Sequence, residues 1–307
     1  MKETIPQHLE TYGYRGRVVS IRHLRALQEE IQDRHRRGLL DEDLFQAYIV
    51  RFDYQPPRNI PNARSLIVAA YADPPVRFTF GWKGKSVQLT VPPTYLKADA
   101  KDAEVGRVLT ELLAAQGYRL SQTVVPEKLL AVRSGLARYG KNNITYVEGL
   151  GSFHRLVVFC SDYPCDEEHW IEARMLERCE QCQACQRSCP SGAIAADRFL
   201  LRAERCLTFW NEKPGRIAFP DWVEGSWHNC LVGCLHCQRA CPENRQLQEW
   251  HEEGAEFSGQ ETELILAGGA TTEFSPALME KLERWDLLEL IDMLPRNLQA
   301  CLENSSQ

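Results

Sequence analysis

Cys179-x-x-Cys182-x-x-Cys185-x-x-x-Cys189-Pro190, followed later in the chain by Cys230-x-x-x-Cys234-x-x-Cys237-x-x-x-Cys241-Pro242, decides how this sequence is read. Two-residue gaps let successive thiolates reach three irons of one cubane from a tight loop. The fourth cysteine, carried off on the next turn with its proline, ligates the other cluster in proteins that hold two. Crossed ligation of this kind gives Cys179, Cys182, Cys185 and Cys241 to one [4Fe–4S] cluster. Cys189, Cys234 and Cys237 go to a second, with one more cysteine. The spacing leaves that last ligand open between Cys206, in Glu204-Arg-Cys-Leu-Thr-Phe-Trp, and Cys230, one helical turn before Cys234. Paired structural zincs tolerate Cys-x-x-Cys, but they have no need of a third and fourth cysteine at these intervals followed by proline.

Nine of the 12 cysteines lie between Cys179 and Cys241, in a stretch rich in Gln and Arg with little periodicity. Apolar burial cannot organise such a segment, so bound inorganic clusters are expected to hold it together. The N-terminus has no apolar signal run and no segment is long and apolar enough to span a bilayer. A cytoplasmic, reducing setting without membrane attachment is therefore expected, in which clustered thiols favour metal over disulfides. Cys160 and Cys165 could form a redox pair or act as extra ligands, but Cys160 closes an apolar run and reads as a buried free thiol, and Cys301 reads as a packing residue. The eight histidines show no ligand spacing. Neither Gly-x-Gly-x-x-Gly nor Gly-x-Ser-x-Gly occurs, which disfavours Rossmann-type nicotinamide binding and serine hydrolysis.

The remainder reads as a soluble globular protein. Of 307 residues, 44% are hydrophobic and 25% charged, enough to bury a core. The formal charge of −6 gives no support to nonspecific binding of a phosphate backbone. Ile21, Leu24, Leu27 and Ile31 recur at helical spacing after Ser20, and the first sixty residues read as polar helix. Ser65–Tyr71 is a continuous apolar run, a strand buried on both faces. Lys85–Val91 alternates as a half-exposed strand. Helices follow at Val105–Gln116 and Glu127–Ser134, with strands near Arg119–Val125 and Leu156–Phe159. After Gly254 the chain reads as helical, with Ser275 capping a helix that begins at Pro276. The expected architecture is α+β: an N-terminal α/β domain over 1–170, a double-cluster domain over 171–250 and a helical tail over 251–307.

Beyond the cysteines, four stretches resemble the epoxyqueuosine reductase family, cobalamin-dependent iron–sulfur enzymes of tRNA queuosine synthesis. The chain also resembles the iron–sulfur module of corrinoid reductive dehalogenases. Pro61-Asn-Ala-Arg-Ser-Leu-Ile-Val-Ala-Ala-Tyr71 is similar to the family's Pro-x-Ala-Arg-Ser-Val-Ile strand entry. Arg133-Ser-Gly-Leu-Ala-Arg-Tyr-Gly-Lys-Asn142 resembles its Ala-Gly-Leu-Gly-Trp-x-Gly-Lys-Asn loop. Gly151-Ser-Phe153 follows in order, and Arg205-Cys206-Leu-Thr-Phe resembles Arg-Cys-Ile-Ser-Tyr, whose cysteine is a ligand. The resemblance thus implies Cys206 as the eighth ligand. It also implies a nitroreductase-like cobalamin-binding domain, a bacterial ferredoxin-like cluster domain, and Gly140, Lys141 and Asn142 beside the corrin. By the same analogy a low-potential donor such as a ferredoxin or flavodoxin feeds electrons through the clusters to a cobalamin or substrate. The sequence departs from the family where an Asp-Ser-Ala-Pro segment supplies the proton-donating aspartate. Ser121-Gln-Thr-Val-Val-Pro-Glu127 has no aspartate, and Glu127 and Tyr139 are the nearest acids. The family's helical-repeat tail is shortened to 251–307. These departures put a tRNA substrate in doubt and leave a rival reading, a non-catalytic electron carrier or reductive activator of a corrinoid protein.

Overall fold

Ser65–Tyr71 forms most of a strand whose side chains are buried along both faces, and it is the spine of a four-stranded antiparallel sheet. The computed structural model describes residues 4–165, 169–269 and 271–304. Its strands are β1 (Arg15–Ser20), β2 (Ser65–Ala72), β3 (Val76–Trp82), β4 (Lys85–Val91), β5 (Leu120–Gln122), β6 (Arg138–Tyr139), β7 (Thr145–Tyr146), β8 (His154–Ser161) and β9 (Glu252–Phe257). The chain is of mixed α/β type and divides into two units. One comprises Met1–Asp73, Asp99–Gln183 and Ala196–Leu201; the other comprises Pro74–Ala98, Ala184–Ala195 and Arg202–Gln307.

In the first unit the sheet runs β1-β2-β8-β5, with Ile67 opposite Phe159 and Val68 opposite Val158. Ile67, Ala69, Tyr71, Val157 and Phe159 point to one side, where Ile5 and Leu9 of the helix Ile5–Thr11 and Val105, Leu109 and Leu113 of the helix Ala98–Ala114 close over them. β1 falls inside the stretch read as polar helix. Its residues are Arg-Gly-Arg-Val-Val-Ser, only two of them buried, and pairing with β2 overrides their weak local signal. Gly16 leaves room for the Leu9 side chain, whose terminal methyl would lie 2.3 Å from a Cβ at that position and would have to shift.

The same unit buries a polar cluster. Asp102 is 3% exposed. It accepts two hydrogen bonds from Arg155, at 3.0 and 2.9 Å, and one from the Tyr71 hydroxyl at 2.7 Å. Burial and the Asp102 charge hold the Tyr71 phenol protonated, and the carboxylate keeps Arg155 charged. Removing one partner of such a pair strands the other charge in the core. Asp102→Ala is therefore expected to cost about 3–5 kcal/mol, read as a drop in the denaturant midpoint at constant slope.

The second unit is built on the three-stranded sheet β4-β3-β9. Phe78, Phe80, Val91 and Phe257 pack with Leu278, Leu282, Trp285, Leu294 and Leu298 from the C-terminal helices. The hairpin β3–β4 and the helices after Gly254 thus share one core, whereas the sequence divides them between its first and last domains. β9, Glu-Glu-Gly-Ala-Glu-Phe, has no strand signature; it forms by parallel pairing with β3. Gly254 permits the approach, since a Cβ there would lie 2.6 Å from the Phe78 ring. Among the described residues no helix is long and apolar enough to cross a membrane.

Candidate metal centre and proton site

The first cysteine run begins on a scaffold supplied by the Gly140–Asn143 loop. Tyr139 N–H donates to the Arg174 carbonyl at 3.0 Å and Leu176 N–H to the Tyr139 carbonyl at 2.9 Å, so 174–176 lies along β6. Cys179 and Cys182 follow on a short 3-10 turn, their amides donating to Leu176 and Arg178. Lys141 Nζ donates to the Cys182 carbonyl at 2.9 Å. Asn143, at φ 59°, donates to the Phe199 carbonyl at 3.0 Å and accepts from Leu201 N–H. Asn142 is buried; its amide donates to Tyr146 Oη at 3.1 Å and accepts from Ile144 N–H at 3.3 Å. Gly140 has no room for a Cβ, which would meet Asn142 Oδ1 at 2.4 Å. The polar atoms of Lys141 and Asn142 are thus engaged in shaping the loop and tying it to the Cys182 turn. Sequence spacing contained no sign of that connection.

In the second unit Cys185 sits in the helix Ala184–Ser188, and Cys237 in the helix His236–Arg239; Ser188 Oγ donates to the His236 carbonyl at 2.8 Å. Each helix runs into a turn that carries Cys-Pro. Cys189 N–H donates to Gln186, and Cys241 N–H to Gln238. Arg205 Nε donates to the Ser191 carbonyl at 3.0 Å and Arg202 N–H to Ala193, which fastens the Cys189 turn to the segment bearing Cys206. Cys206 caps the helix Leu207–Asn211. Its thiol is pushed up by burial, with the nearby Thr208 and Phe209 amides and the Thr208 hydroxyl favouring its charged form, and it lies within electrostatic range of Cys189. Cys234 interacts with Cys230, Cys206 and Cys189 together; burial holds its thiol, like that of Cys206, above the ordinary range. A bound cation must therefore drive deprotonation, as cluster iron does.

Cys230 lies within electrostatic range of Cys234 as well. It is fully buried, receives one backbone hydrogen bond from Leu235, and lies against Cys301. Tyr95, half-buried, hydrogen-bonds Glu212 within electrostatic range of both Cys206 and Cys230. All of the described cysteines are free thiols. Among the described residues no three His, Cys, Asp or Glu side chains close on a single ion. A cubane holds its four thiolates further apart than one ion does.

The first unit places one further acid. Glu127 opens the helix Glu127–Arg133 behind Pro126, half-buried. Desolvation pushes its carboxyl up to about 7, opposed by Arg155 and Lys128 and reinforced by Asp102. Tyr139 is buried and pushed up to about 12.

Residues 178–244 match the family described as 4Fe-4S double cluster binding domain. An epoxyqueuosine reductase of Cyclobacterium marinum is 26% identical over 202 residues, covering 66% of this chain and 59% of that protein. The chain is a relative of the epoxyqueuosine reductases. The enzyme of Salmonella typhimurium is 34% identical over 158 residues, covering 50% of this chain and 39% of that protein. The chain thus spans well under two thirds of the length of these curated epoxyqueuosine reductases. Among solved structures, epoxyqueuosine reductase from Bacillus subtilis, with its catalytic aspartate loop swung out of the active site, superposes with a TM-score of 0.68. It is 20% identical and covers 97% of this chain and 80% of that one. An epoxyqueuosine reductase solved with an epoxyqueuosine-modified tRNA stem loop gives 0.69, at 20% identity and the same coverage. At these identities the superposition shows a shared fold. The donor set fits the matched domain: two [4Fe–4S] clusters are its cofactors, and thiols of the second unit already lie together around Cys234.

Proposed function

We propose that this chain is an iron–sulfur oxidoreductase of epoxyqueuosine reductase type, passing single electrons through its clusters to an acceptor in an N-terminal nitroreductase-like domain. Cys179, Cys182, Cys185 and Cys241 would hold one cluster of the ferredoxin-like domain and Cys189, Cys206, Cys234 and Cys237 the other. The grouping of Cys189, Cys206, Cys230 and Cys234 thiols in the second unit supports a cluster there, and the resemblance selects Cys206 over Cys230. Reducing an epoxide with loss of its oxygen as water consumes two electrons and two protons. Two one-electron centres fed by a low-potential donor match the electrons; Glu127 is the half-buried acid that delivers one proton, and solvent supplies the other.

Cobalamin is the acceptor that the resemblance implies. The side chains of Lys141 and Asn142 are engaged with Cys182 and Tyr146, so they do not by themselves form a grip for a corrin, and the proposal routes no step through it. Epoxyqueuosine-modified tRNA, the ligand of the relative solved with a stem loop, is the first substrate to test.

Chain prepared without oxygen is expected to carry about eight irons and as many sulfides, to be reduced reversibly by a low-potential reductant, and to turn over epoxyqueuosine tRNA. Zinc, or about four irons, would remove the proposal. Full, reversible clusters with no turnover would favour the carrier or corrinoid activator, the reading that the aspartate-free stretch Ser121–Glu127 supports.

A further inference from the structure

The last helix, Leu294–Asn304, does more than close the apolar core of the second unit. Arg296 donates to the carbonyls of Pro214 and Ile217 through Nη1, at 3.2 and 2.7 Å. Through Nη2 it donates to those of Trp210 and Asn211, at 3.0 and 3.2 Å. Its guanidinium also lies 4.3 Å from the Phe219 ring centroid. Asn297 is fully buried. Its Oδ1 accepts from Arg296 Nε and Nη2, while its Nδ2 donates to the carbonyls of Asn211 and Leu231, both at 2.9 Å. Further along the same face, Cys301 Sγ donates to the Cys230 carbonyl at 3.4 Å, and Asn304 reaches the carbonyls of Ser226 and His228 at the same distance. Positions 297, 301 and 304 follow one another at helical spacing, so one helix edge reads a row of main-chain oxygens.

Those oxygens belong to two segments. One, 210–217, leaves the turn that carries Cys206; the other, 226–231, enters the turn that carries Cys234. Asn211 joins them, because its Nδ2 donates to the Gly233 carbonyl at 2.7 Å, one residue before Cys234. Within the first segment the Trp210 and Pro214 carbonyls also accept from Lys213 and Ile217 N–H, so Arg296 adds a second donor there; for the Asn211 and Leu231 carbonyls, Arg296 and Asn297 supply side-chain partners that buried acceptors need. The planar fork of arginine supplies several donors from one fixed point, which a lysine cannot do.

The geometry points to Arg296 and Asn297 as positioning residues of the second cluster: they hold the Cys206 and Cys234 turns at the separation at which both thiolates reach one cubane. This rests on the ligand set proposed above. The segment that the sequence sets apart as a tail would then be part of the metal-binding apparatus.

The test uses the full chain, reconstituted without oxygen, as wild type, Arg296→Gln, Asn297→Ala, Arg296→Lys and the half-buried control Gln299→Ala on the same helix. Iron per chain and reduced-state spin count by electron paramagnetic resonance are read beside circular dichroism. Arg296→Gln and Asn297→Ala should fall from about eight irons to about four and from about two spins to about one, with helix content kept. Gln299→Ala should match wild type, and Arg296→Lys should recover only part of the loss. If either glutamine or alanine variant keeps the full count with the wild-type spectrum, or loses both clusters in parallel, the positioning role is wrong. Should Arg296→Gln fail to fold, Asn297→Ala decides alone, because it leaves the guanidinium contacts to 214 and 217 in place. A wild-type chain with fewer than about eight irons would instead sink the double-cluster reading, and this inference with it.

Discussion

Cys206→Ser is expected to halve the iron content of the reconstituted chain, from about eight to about four, while Cys230→Ala leaves it near eight. The two cysteines are equivalent by spacing and differ in surroundings. The Cys206 sulfur stands at the N-terminal end of a short helix, where the Thr208 and Phe209 amides and the Thr208 hydroxyl favour its charged form, and Cys189 is within electrostatic range. Donors of that kind stabilise the negative sulfur that a cluster ligand must be. Cys230 is enclosed with Cys301, itself pushed up to about 12 by burial, and its carbonyl is bound by the last helix. Moving its sulfur onto a cluster would require that packing to break. Iron analysis on both variants decides the matter. A full complement in Cys206→Ser together with a loss in Cys230→Ala would reverse the assignment.

The parts of the fold that were legible in the sequence are those with a local cause. β2 is an uninterrupted apolar run, β4 alternates, and Ser275 with Pro276 marks a helix start that the structure keeps, Ser275 Oγ accepting from Leu278 N–H. The cysteine runs are legible for a different reason, since thiolate spacing is set by the inorganic cage and hardly depends on the fold around it. What escaped depends on partners distant in the chain. β1 and β9 are polar segments made into strands by β2 and β3, and β9 needs Gly254 only because the Phe78 ring lies against it. The Gly140–Asn142 loop was legible as a motif but not in its employment. Nothing local in Lys141 states that its ammonium reaches Cys182, and nothing local in Arg296 states that its guanidinium serves carbonyls beyond Cys206.

Glu127→Gln is expected to lower substrate reduction by roughly 10²–10⁴-fold while leaving iron content and cluster spectra unchanged. The carboxyl is half-buried near the Asp102–Arg155 pair, and pushed up to about 7 it keeps a substantial protonated fraction at neutral pH that an ordinary glutamate has lost. Tyr139, pushed up to about 12, keeps its proton too firmly to be the better acid. Two pH experiments follow. Wild-type turnover should decline as pH rises through about 7 and Glu127 ionises, whereas the residual turnover of the glutamine variant should show no such step. Stability carries the same signature. Because the folded-state affinity for the proton is raised, the contribution is fully present below the ordinary carboxylate range and is lost as pH rises through about 7. Discounted for partial solvent screening, the loss is about 2 kcal/mol. Glutamine, an uncharged isostere, avoids it, so the variant should gain on wild type between pH 5 and pH 9 (about that much in unfolding free energy). A wild-type profile without a step near neutrality, together with a variant that tracks wild-type stability across that range, would show that Glu127 is ionised throughout. The proton would then have to come from another group or from solvent.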